Sequence, residues 1–429
     1  MVTHNQDETT TTKIYGAGAV RGGQRRAARA PGGAAEQRPR AAMVVDVGIG
    51  RVIRDHQARI NSIDFSKDGE LLLSSGDDER VYIYSCQHGT QVQASQCRKY
   101  GVESARFTHD PYSIIAASRN DFDHGIRYLS LHDNRYLRFF KGHTDRVVAL
   151  EMSPKEDTFA SASADDTVRL WDLRTTDCTG VIRFAGGRRA AIAFDLQGMV
   201  FAASGGGGQT KMYDVRAYEK GPFATFTPDA GGPIDFSSVK FSHDGKLMLL
   251  GTTQGRAPRA PWKTAAPEAS LVGRLALPRA PRAPAQAQGR LPPRPPASAA
   301  GAPGLALCGT PALCGTQVLL LDAFSGALER VFSGHDNSRQ LPLEPCFGPD
   351  AEYVLSGSED GTVWRWRTAT GEALPPLQGH TGPVGALKVN PTRMLLASAC
   401  SALCLWLPQP PQQQLQQHMQ QQHPTGMMG

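Results

Sequence analysis

The sequence predicts an all-β fold, a seven-bladed β-propeller, and three observations carry that expectation. The first is the stretch from Gly142 to Arg174, GHTDRVVALEMSPKEDTFASASADDTVRLWDLR, which opens on Gly-His and closes on Trp-Asp. Between those ends lie three apolar-alternating runs, 147–152, 158–163 and 167–173, separated by turn material at 154–157 and 164–166. Period-two alternation bounded by such turns marks short antiparallel strands. The second observation is recurrence. The closing position is occupied by Tyr84, Leu129, Trp171, Tyr213, Leu321, Trp366 and Trp406, at intervals of 45, 42, 42, 108, 45 and 40 residues. Repeats of about 40–45 residues are propeller blades, and the long interval is one period plus an insertion of roughly sixty residues. The third is a mismatch at the ends. The repeat that closes at Trp406 is one strand short, while GRVIR, before Asp55, is a strand without a blade. That N-terminal strand is expected to complete the last blade and close the ring, which protects the sheet edges.

In chain order, residues 1–48 are rich in Thr, Gly, Ala and Arg and nearly free of large apolar residues, so they are expected to form a disordered arm. Arg25, Arg26 and Arg29 read as solvated tail charge, with a nuclear-localisation patch as the alternative. The propeller is expected over 49–407. Repeat one begins at Asp55-His56 in place of Gly-His and ends at Tyr84-Ser85. Repeat two is degenerate, with Leu129 at the Trp position; repeat three is the unit described above; repeat four closes at Tyr213-Asp214. Repeat five starts in SSVKFSHDGKLMLLGT, is interrupted between its second and third strands, and resumes in QVLLLDAFSG. Repeats six and seven open on Gly334-His335 and Gly379-His380. The interruption, 256–316, is dense in Pro, Ala and Arg and is expected to be disordered or polyproline-like. Lengthening a short turn to that size costs roughly 2–3 kcal/mol of closure entropy, which a fold stable by about 5–15 kcal/mol survives. The tail, 408–429, is Gln-rich and expected to be disordered.

Inside the unit, a buried Trp171 indole N–H needs an acceptor, because an unpaired buried donor costs roughly 1–3 kcal/mol. Ser161 and Ser163 lie two apart and share one strand face. With its Gly-His opening and Trp-Asp close, the unit resembles a repeat of the WD40 family. There the His, a strand hydroxyl, a tight-turn Asp and the Trp form one bonded network. The resemblance assigns that network to His143, Ser161 or Ser163, Asp165 and Trp171, and in the later repeats to His335, Asp360, Trp366, His380 and Trp406. Their expected role is structural, not catalytic.

Composition narrows the function. The chain is 40% hydrophobic and 20% charged, ordinary for a soluble protein, and no run of eighteen apolar residues predicts a membrane span. An apolar leader is absent from the N-terminus, so secretion is not expected. Eight Cys without a CxxC pair suit a reducing, intracellular compartment, and Cys400 and Cys404, four apart on an expected strand, make a poor metal pair. The net charge of +6 is unevenly placed: 256–316 carries +7, 1–50 carries +3, the tail carries none, and the repeats hold −4. A nucleic-acid platform shows its basic charge on the folded body, so direct sequence-specific nucleic-acid binding is not expected. No cofactor is implied. No nucleophile elbow, phosphate-binding loop or acid pair stands outside the structural network, so the chain reads as a non-enzyme.

KYGVESARFTHD, GIRYLSLHDNRYLRFFKGHTDRVVALEMSP, YDVRAYEKGPFATF, VKFSHDGKLMLL, GHTGPVGALKVNP and SACSALCLWLP resemble more than a generic repeat. They are similar to the family of small WD-repeat subunits shared by the COMPASS histone lysine methyltransferase and transcription-termination machinery. The resemblance implies a nuclear adaptor that tethers a SET-domain methyltransferase subunit to RNA polymerase II with serine-phosphorylated C-terminal repeats, and that also joins a phosphatase-containing termination complex. The alternative is a substrate receptor of a cullin-4-type ubiquitin ligase, suggested by the Trp171-Asp172-Leu173-Arg174 box. Strand starts after the Gly-His positions line a propeller's channel mouth, where the sequence has Arg59, Arg146 and Arg339, with Lys99 and Tyr100 in repeat two. Arg presents a forked donor set suited to phosphate, so these five are the candidate phosphopeptide residues. The competing expectation is that the arginines pair with the acidic turns at Asp78 and Asp165.

Overall fold

A computed structural model describes residues 47–120, 122–183, 190–205, 207–227, 235–253 and 316–409, and the backbone of 263–264. Within residues 39–429 the described strands form seven antiparallel sheets, the blades of a propeller. Blade three contains, from the axis outward, Val147–Met152, Thr158–Ser163, Thr167–Asp172 and Cys178–Arg183. Blade one is Ile60–Phe65, Leu71–Gly76, Arg80–Ser85 and Gln91–Gln96; blade two is Ser104–Phe107, Ser113–Ala117, Ile126–Ser130 and Arg135–Phe140. Blade four is Ala191–Phe194, Val200–Ser204, Thr210–Asp214 and Ala224–Thr227, and blade five is Phe236–Phe241, Leu247–Thr252, Val318–Asp322 and Leu328–Phe332. Blade six is Cys346–Phe347, Tyr353–Gly357, Thr362–Arg367 and Ala373–Gln378. The only described helix is a single 3-10 turn, Tyr218–Lys220.

The packing follows from where the repeat places large and small side chains. In blade three the second strand alternates Phe159 and Ser161 with Ala160 and Ala162, all fully buried. One face lets Trp171 wedge against Ile115, Ala117, Ile126 and Phe140 of blade two. The small Ala160 and Ala162 of the other face let Ile192, Phe201 and Tyr213 of blade four close in. Each blade thus buries its bulky face against the neighbour's, and no blade holds a core alone.

Ring closure joins the two ends of the propeller. Val47–Ile53 pairs antiparallel with Leu403–Pro408, from Val47 opposite Pro408 to Ile53 opposite Leu403, and completes the sheet of Ala386–Val389 and Leu396–Ala399. Blade seven then packs on blade one through Ile53, Ala397, Leu403 and Leu405 against Phe65, Tyr82 and Tyr84. Polar contacts reinforce the seam: the Ile60 N–H donates to the Cys400 carbonyl at 2.8 Å, and Asn390 Nδ2 donates to the Gly69 carbonyl at 2.8 Å.

The insertion leaves blade five between Thr252 and Val318, its second and third strands. One rung fastens both departure points, because Thr252 N–H donates to the Gln317 carbonyl at 3.0 Å and Gln317 N–H donates to Thr252 Oγ1 at 3.0 Å. The segments expected to be disordered, 1–48, 256–316 and 408–429, lie outside the described residues except at 47–48, 263–264, 316 and 408–409. At 263–264 the backbone pairs with Thr227 and Phe226 on the outer edge of blade four.

Closure by the N-terminal strand has a direct test. Deleting 1–46 is expected to leave the thermal midpoint within about 2 °C of the full chain, a shift below roughly 0.5 kcal/mol. Deleting 1–54 is expected to remove the cooperative transition followed by circular dichroism. Equal melts of the two truncations would contradict closure by this strand.

Candidate functional site

Blade three sets out the network in full. Trp171 Nε1 donates to Ser161 Oγ at 2.8 Å, Ser161 Oγ lies 2.7 Å from His143 Nε2, and His143 Nδ1 lies 2.9 Å from Asp165 Oδ2. Indole is a donor only and carboxylate an acceptor only, which fixes the two ends: Ser161 accepts from Trp171, and His143 donates its Nδ1–H to Asp165. Burial favours the neutral imidazole, whose Nε2 then accepts from Ser161. Burial lowers its pKa, against the opposing hydrogen bond and charge of Asp165. Burial would raise Asp165, but hydrogen bonds from Thr167, the Thr144 N–H and His143 outweigh it and hold the carboxyl at about 2. Ser163 is not on this chain. Its hydroxyl donates to the Asp145 carbonyl at 2.8 Å and accepts from the Asp165 N–H at 3.2 Å, so it fastens the loop backbone instead.

Two other blades form the relay in variant form, and blade six, where it was expected, does not form it among the described residues. In blade one His56 lies 2.7 Å from Ser74 Oγ and 3.0 Å from Asp78. In blade seven Trp406 Nε1 donates to Ser398 Oγ at 2.6 Å, and His380 Nε2 lies 2.6 Å from the same oxygen. Here Trp and Ser are eight residues apart rather than ten, so the hairpin is two residues shorter and the turn acid is lost. Cys400 takes its place, with Sγ 3.1 Å from His380 Nδ1. Burial would raise the Cys400 thiol, but hydrogen bonds from His380 and the Ala402 N–H bring it down to about 6. Blade six corrects the expectation for His335, Asp360 and Trp366. His335 packs edge-on to Trp366 with ring centroids 5.6 Å apart, and neither of its nitrogens has a partner among the described residues. Asp360 bonds Thr362 instead, and burial drops His335 to about 4.

The inner strands carry a second constellation that the sequence reading passed over. Asp64, Arg106, Glu151, Ala193, Lys240, Cys346 and Lys388 occupy one register position, the last but one in each inner strand. Five of the seven are charged, and in-phase charge was the available signal. Arg106 reaches Glu151 at 3.4 Å and Glu344 at 4.0 Å, Lys240 reaches Glu151 at 3.6 Å, and Lys388 pairs with Asp64. Burial would raise the Glu151 carboxyl, but Lys240, Lys388 and Arg106 outweigh it and hold it at about 2.

At the rim, Arg59, Arg119 and Arg146 come from blades one, two and three. Arg119 pairs with Asp77 and Glu103, and Arg146 pairs with Glu103. Arg59 is exposed and makes no ion pair among the described residues. Burial, then repulsion from Arg146 and Arg59, lowers the pKa of Arg119, so three cations share two acids. Arg119 was absent from the sequence candidates because it lies after a second strand, not after a Gly-His position. Arg59 and Arg146 do not pair with Asp78 or Asp165, which are taken by His56 and His143, although Arg119 reaches Asp77 in the first of those turns.

The other candidates do not join this group. Arg339 pairs with Glu359 in blade six. Lys99 Nζ lies 5.0 Å from the centroid of the Tyr100 ring, which stacks on Arg127 at 3.4 Å and meets Tyr136 at 6.1 Å, at the outer strand of blade two. In the Trp171–Arg174 box, Leu173 is buried and Arg174 turns back onto Asp172, with Nε 2.9 Å from Oδ1 and Nη2 2.6 Å from Oδ2. Among the described residues no group of three or more His, Cys, Asp or Glu is placed to hold a metal, the Cys400–Cys404 pair included.

Comparison with known proteins agrees with this architecture. The chain matches the WD domain, G-beta repeat family over residues 49–85, 134–172 and 326–367. It is 36% identical to WD repeat-containing protein 82 of Drosophila melanogaster, over 84% of this chain and 94% of that protein. It is 38% identical to Set1 complex component swd2 of Schizosaccharomyces pombe, over 45% of this chain and 54% of that protein. With COMPASS component SWD2 of Saccharomyces cerevisiae the identity is 33%, over 46% and 59% respectively.

Two predictions follow from these geometries. Trp171→Ala removes a fully buried ring and is expected to cost about 3–5 kcal/mol, read as a lowered midpoint in a chemical denaturation curve; a loss under about 1 kcal/mol would contradict the wedge. Glu151 has a folded pKa of about 2, below the usual glutamate value. Its stabilisation is therefore present above about pH 4.5 and lost as pH falls towards 2. Glu151→Gln is expected to melt below wild type at pH 7, with the gap narrowing steadily between pH 4.5 and 2. A gap independent of pH would show that the ion pairs are not what Glu151 contributes.

Proposed function

Since the chain belongs to the WD40-repeat family, we propose that it is a non-catalytic scaffold of a nuclear chromatin complex, and that its rim reads a serine-phosphorylated peptide. The relatives named for the Set1 complex and for COMPASS support a place beside a SET-domain histone lysine methyltransferase subunit. On this reading the phosphorylated peptide is the C-terminal repeat of RNA polymerase II, so the scaffold tethers the methyltransferase to transcribing polymerase. A second assembly holds a phosphatase-containing termination complex.

The observation that carries the peptide reading is the convergence of Arg59, Arg119 and Arg146 on only two carboxylates, with Arg59 exposed and without an ion pair among the described residues. A phosphate dianion supplies the missing negative charge, and a guanidinium fork meets two of its oxygens at once. Glu103 already orders Arg119 and Arg146, so less side-chain freedom is lost on binding. The rim suits recognition rather than catalysis, because arginine stays protonated and offers no general base.

The test is fluorescence anisotropy with a labelled two-repeat polymerase peptide, phosphorylated or not. Arg59→Ala and Arg146→Ala are each expected to weaken the phosphorylated peptide about tenfold, one charge-assisted contact's worth, and to leave the unphosphorylated peptide unchanged. The loss is expected to be larger at 50 mM than at 300 mM salt, because exposed charge pairs are screened. Wild-type affinity in both variants, with unchanged melts, would remove the rim from the reading.

A further inference from the structure

We propose that the outer edge of blade two is a docking strip for an extended, acidic segment of a partner protein, one in which apolar side chains alternate with Asp or Glu. The strip is a different surface from the arginine rim and does not depend on the polymerase reading.

An open sheet edge offers unpaired backbone groups to any extended chain, and folded proteins blunt such edges with charge, proline, glycine or a covering element. Most blades here do so. The outer strand of blade one is QVQASQ, polar and uncharged; that of blade six carries Pro375 and Pro376, which remove donors. On blade three Tyr218 lies over Gly180 and donates its hydroxyl to the Thr179 carbonyl at 2.6 Å. On blade four the backbone of 263–264 pairs with the edge. Blade five mixes Glu329 with Arg330, and the N-terminal strand on blade seven has two glycines.

Blade two blunts its edge with charge of one sign only. Its outer strand, RYLRFF, is followed by Lys141 and contains no acid. Tyr136, Leu137 and Phe139 are 37%, 52% and 42% exposed. Leu137 is the extra residue of a bulge, since Arg138 pairs with Tyr128 and Tyr136 with Leu129, so it stands outside the ladder.

Charge decides the kind of partner. Tyr136 and Phe139 lie side by side, with centroids 5.5 Å apart, and form one aromatic face with Tyr100. Beneath that face is the Arg127 guanidinium, 4% exposed, 3.4 Å from the Tyr100 centroid and 5.8 Å from that of Phe139. Arg127 pairs with Asp123 through Nη2, while its Nε and Nη1 have no partner among the described residues. Lys99 lies against the opposite side of the cluster, and Arg135 and Lys141 flank the strand. An added strand presents alternate side chains to opposite faces of the sheet. Apolar side chains then fall on Tyr136 and Phe139, and the carboxylates between them turn to the other face, that of Arg135 and Arg138, where Asp172 already lies near Arg138. A basic or phosphate-free polar segment gains neither term.

The test uses the full chain and three labelled nonapeptides read by fluorescence anisotropy: one alternating Leu or Val with Asp or Glu, its Lys-substituted counterpart, and a scrambled acidic control. The alternating acidic peptide is expected to bind at least tenfold more tightly than either of the others. Tyr136→Ser/Phe139→Ser is expected to reduce that affinity at least tenfold, and the exposed charge inversion Arg135→Glu at least threefold with an unchanged melt, while Arg59→Ala leaves it unaltered. Equal binding of the acidic and Lys peptides, or wild-type affinity in both strip variants, overturns the proposal. So does concentration-dependent dimerisation by sedimentation that Tyr136→Ser/Phe139→Ser abolishes, which would assign the strip to a second copy of the chain.

Discussion

One serine hydroxyl in a blade decides much of what surrounds it. Ser161 accepts the Trp171 indole and sits 2.7 Å from His143, so three segments distant in sequence meet on one oxygen. Without that acceptor, a fully buried Trp would strand its N–H, and the wedge that joins blade three to blade two would lose its polar anchor. His143 in turn donates to Asp165, which orders the loop entering the inner strand. Arg146 lies three residues beyond His143, so its place on the rim is inherited from a hydrogen-bond chain that contacts no ligand. Blade six shows the alternative. There Ser358, the counterpart of Ser163, holds the entering loop through the Asp336 N–H at 3.0 Å and the Asp336 carbonyl at 3.2 Å.

The axial ion pairs work differently from the blade networks. The relay is local, closed within one repeat, whereas Arg106 of blade two reaches Glu151 of blade three and Glu344 of the segment entering blade six. Buried charges stabilise little over an apolar alternative, but breaking one partner is costly. Their contribution is therefore to register: Arg106, Lys240 and Lys388 face Glu151, Glu344 and Asp64 only when the blades are in their proper order. The repeats share one apolar pattern and cannot supply that discrimination themselves.

The architecture was legible because a repeat converts weak local signals into a period, and the spare strand, read as GRVIR at 50–54 and found at 47–53, followed from counting. The blade-three relay was legible through the resemblance that its Gly-His and Trp-Asp ends carry, with Ser161 and Ser163 left as alternatives by their two-residue spacing. Spacing also explains the failures. His335 and Trp366 have the right identities, yet Ser356 bonds the Gly357 carbonyl at 3.2 Å rather than His335, a rotamer choice invisible in sequence. In blade seven the lost pair of turn residues put Cys400 where an acid was expected. Repeat two lacks Gly-His altogether; its Gly101 has φ +63°, and the chain turns so that Tyr100 faces Arg127 and the outer strand instead of the channel mouth. Side-chain convergence across blades, as at Arg119, depends on neighbours some forty residues away.

Position within the repeat separates structure from recognition. Residues recurring in phase, such as the Ser acceptors, the closing aromatics and the axial charges, are consumed by bonds that the ring itself requires. Residues out of phase with the repeat have no such duty; the blade-two edge is built from these, and the rim joins one of them, Arg119, to the in-phase Arg59 and Arg146. Arg59 and Arg146 both lie three residues beyond a relay histidine, His56 or His143, whereas Arg119 follows a second strand, and RYLRFF differs from every other outer strand. The blade-five insertion obeys the same logic: it departs and returns at the single rung of Thr252 and Gln317, so the ladder on either side is undisturbed. A rigid ring tolerates variation where no in-phase bond is broken, and the two proposed surfaces draw on exposed side chains whose chemistry no core contact constrains.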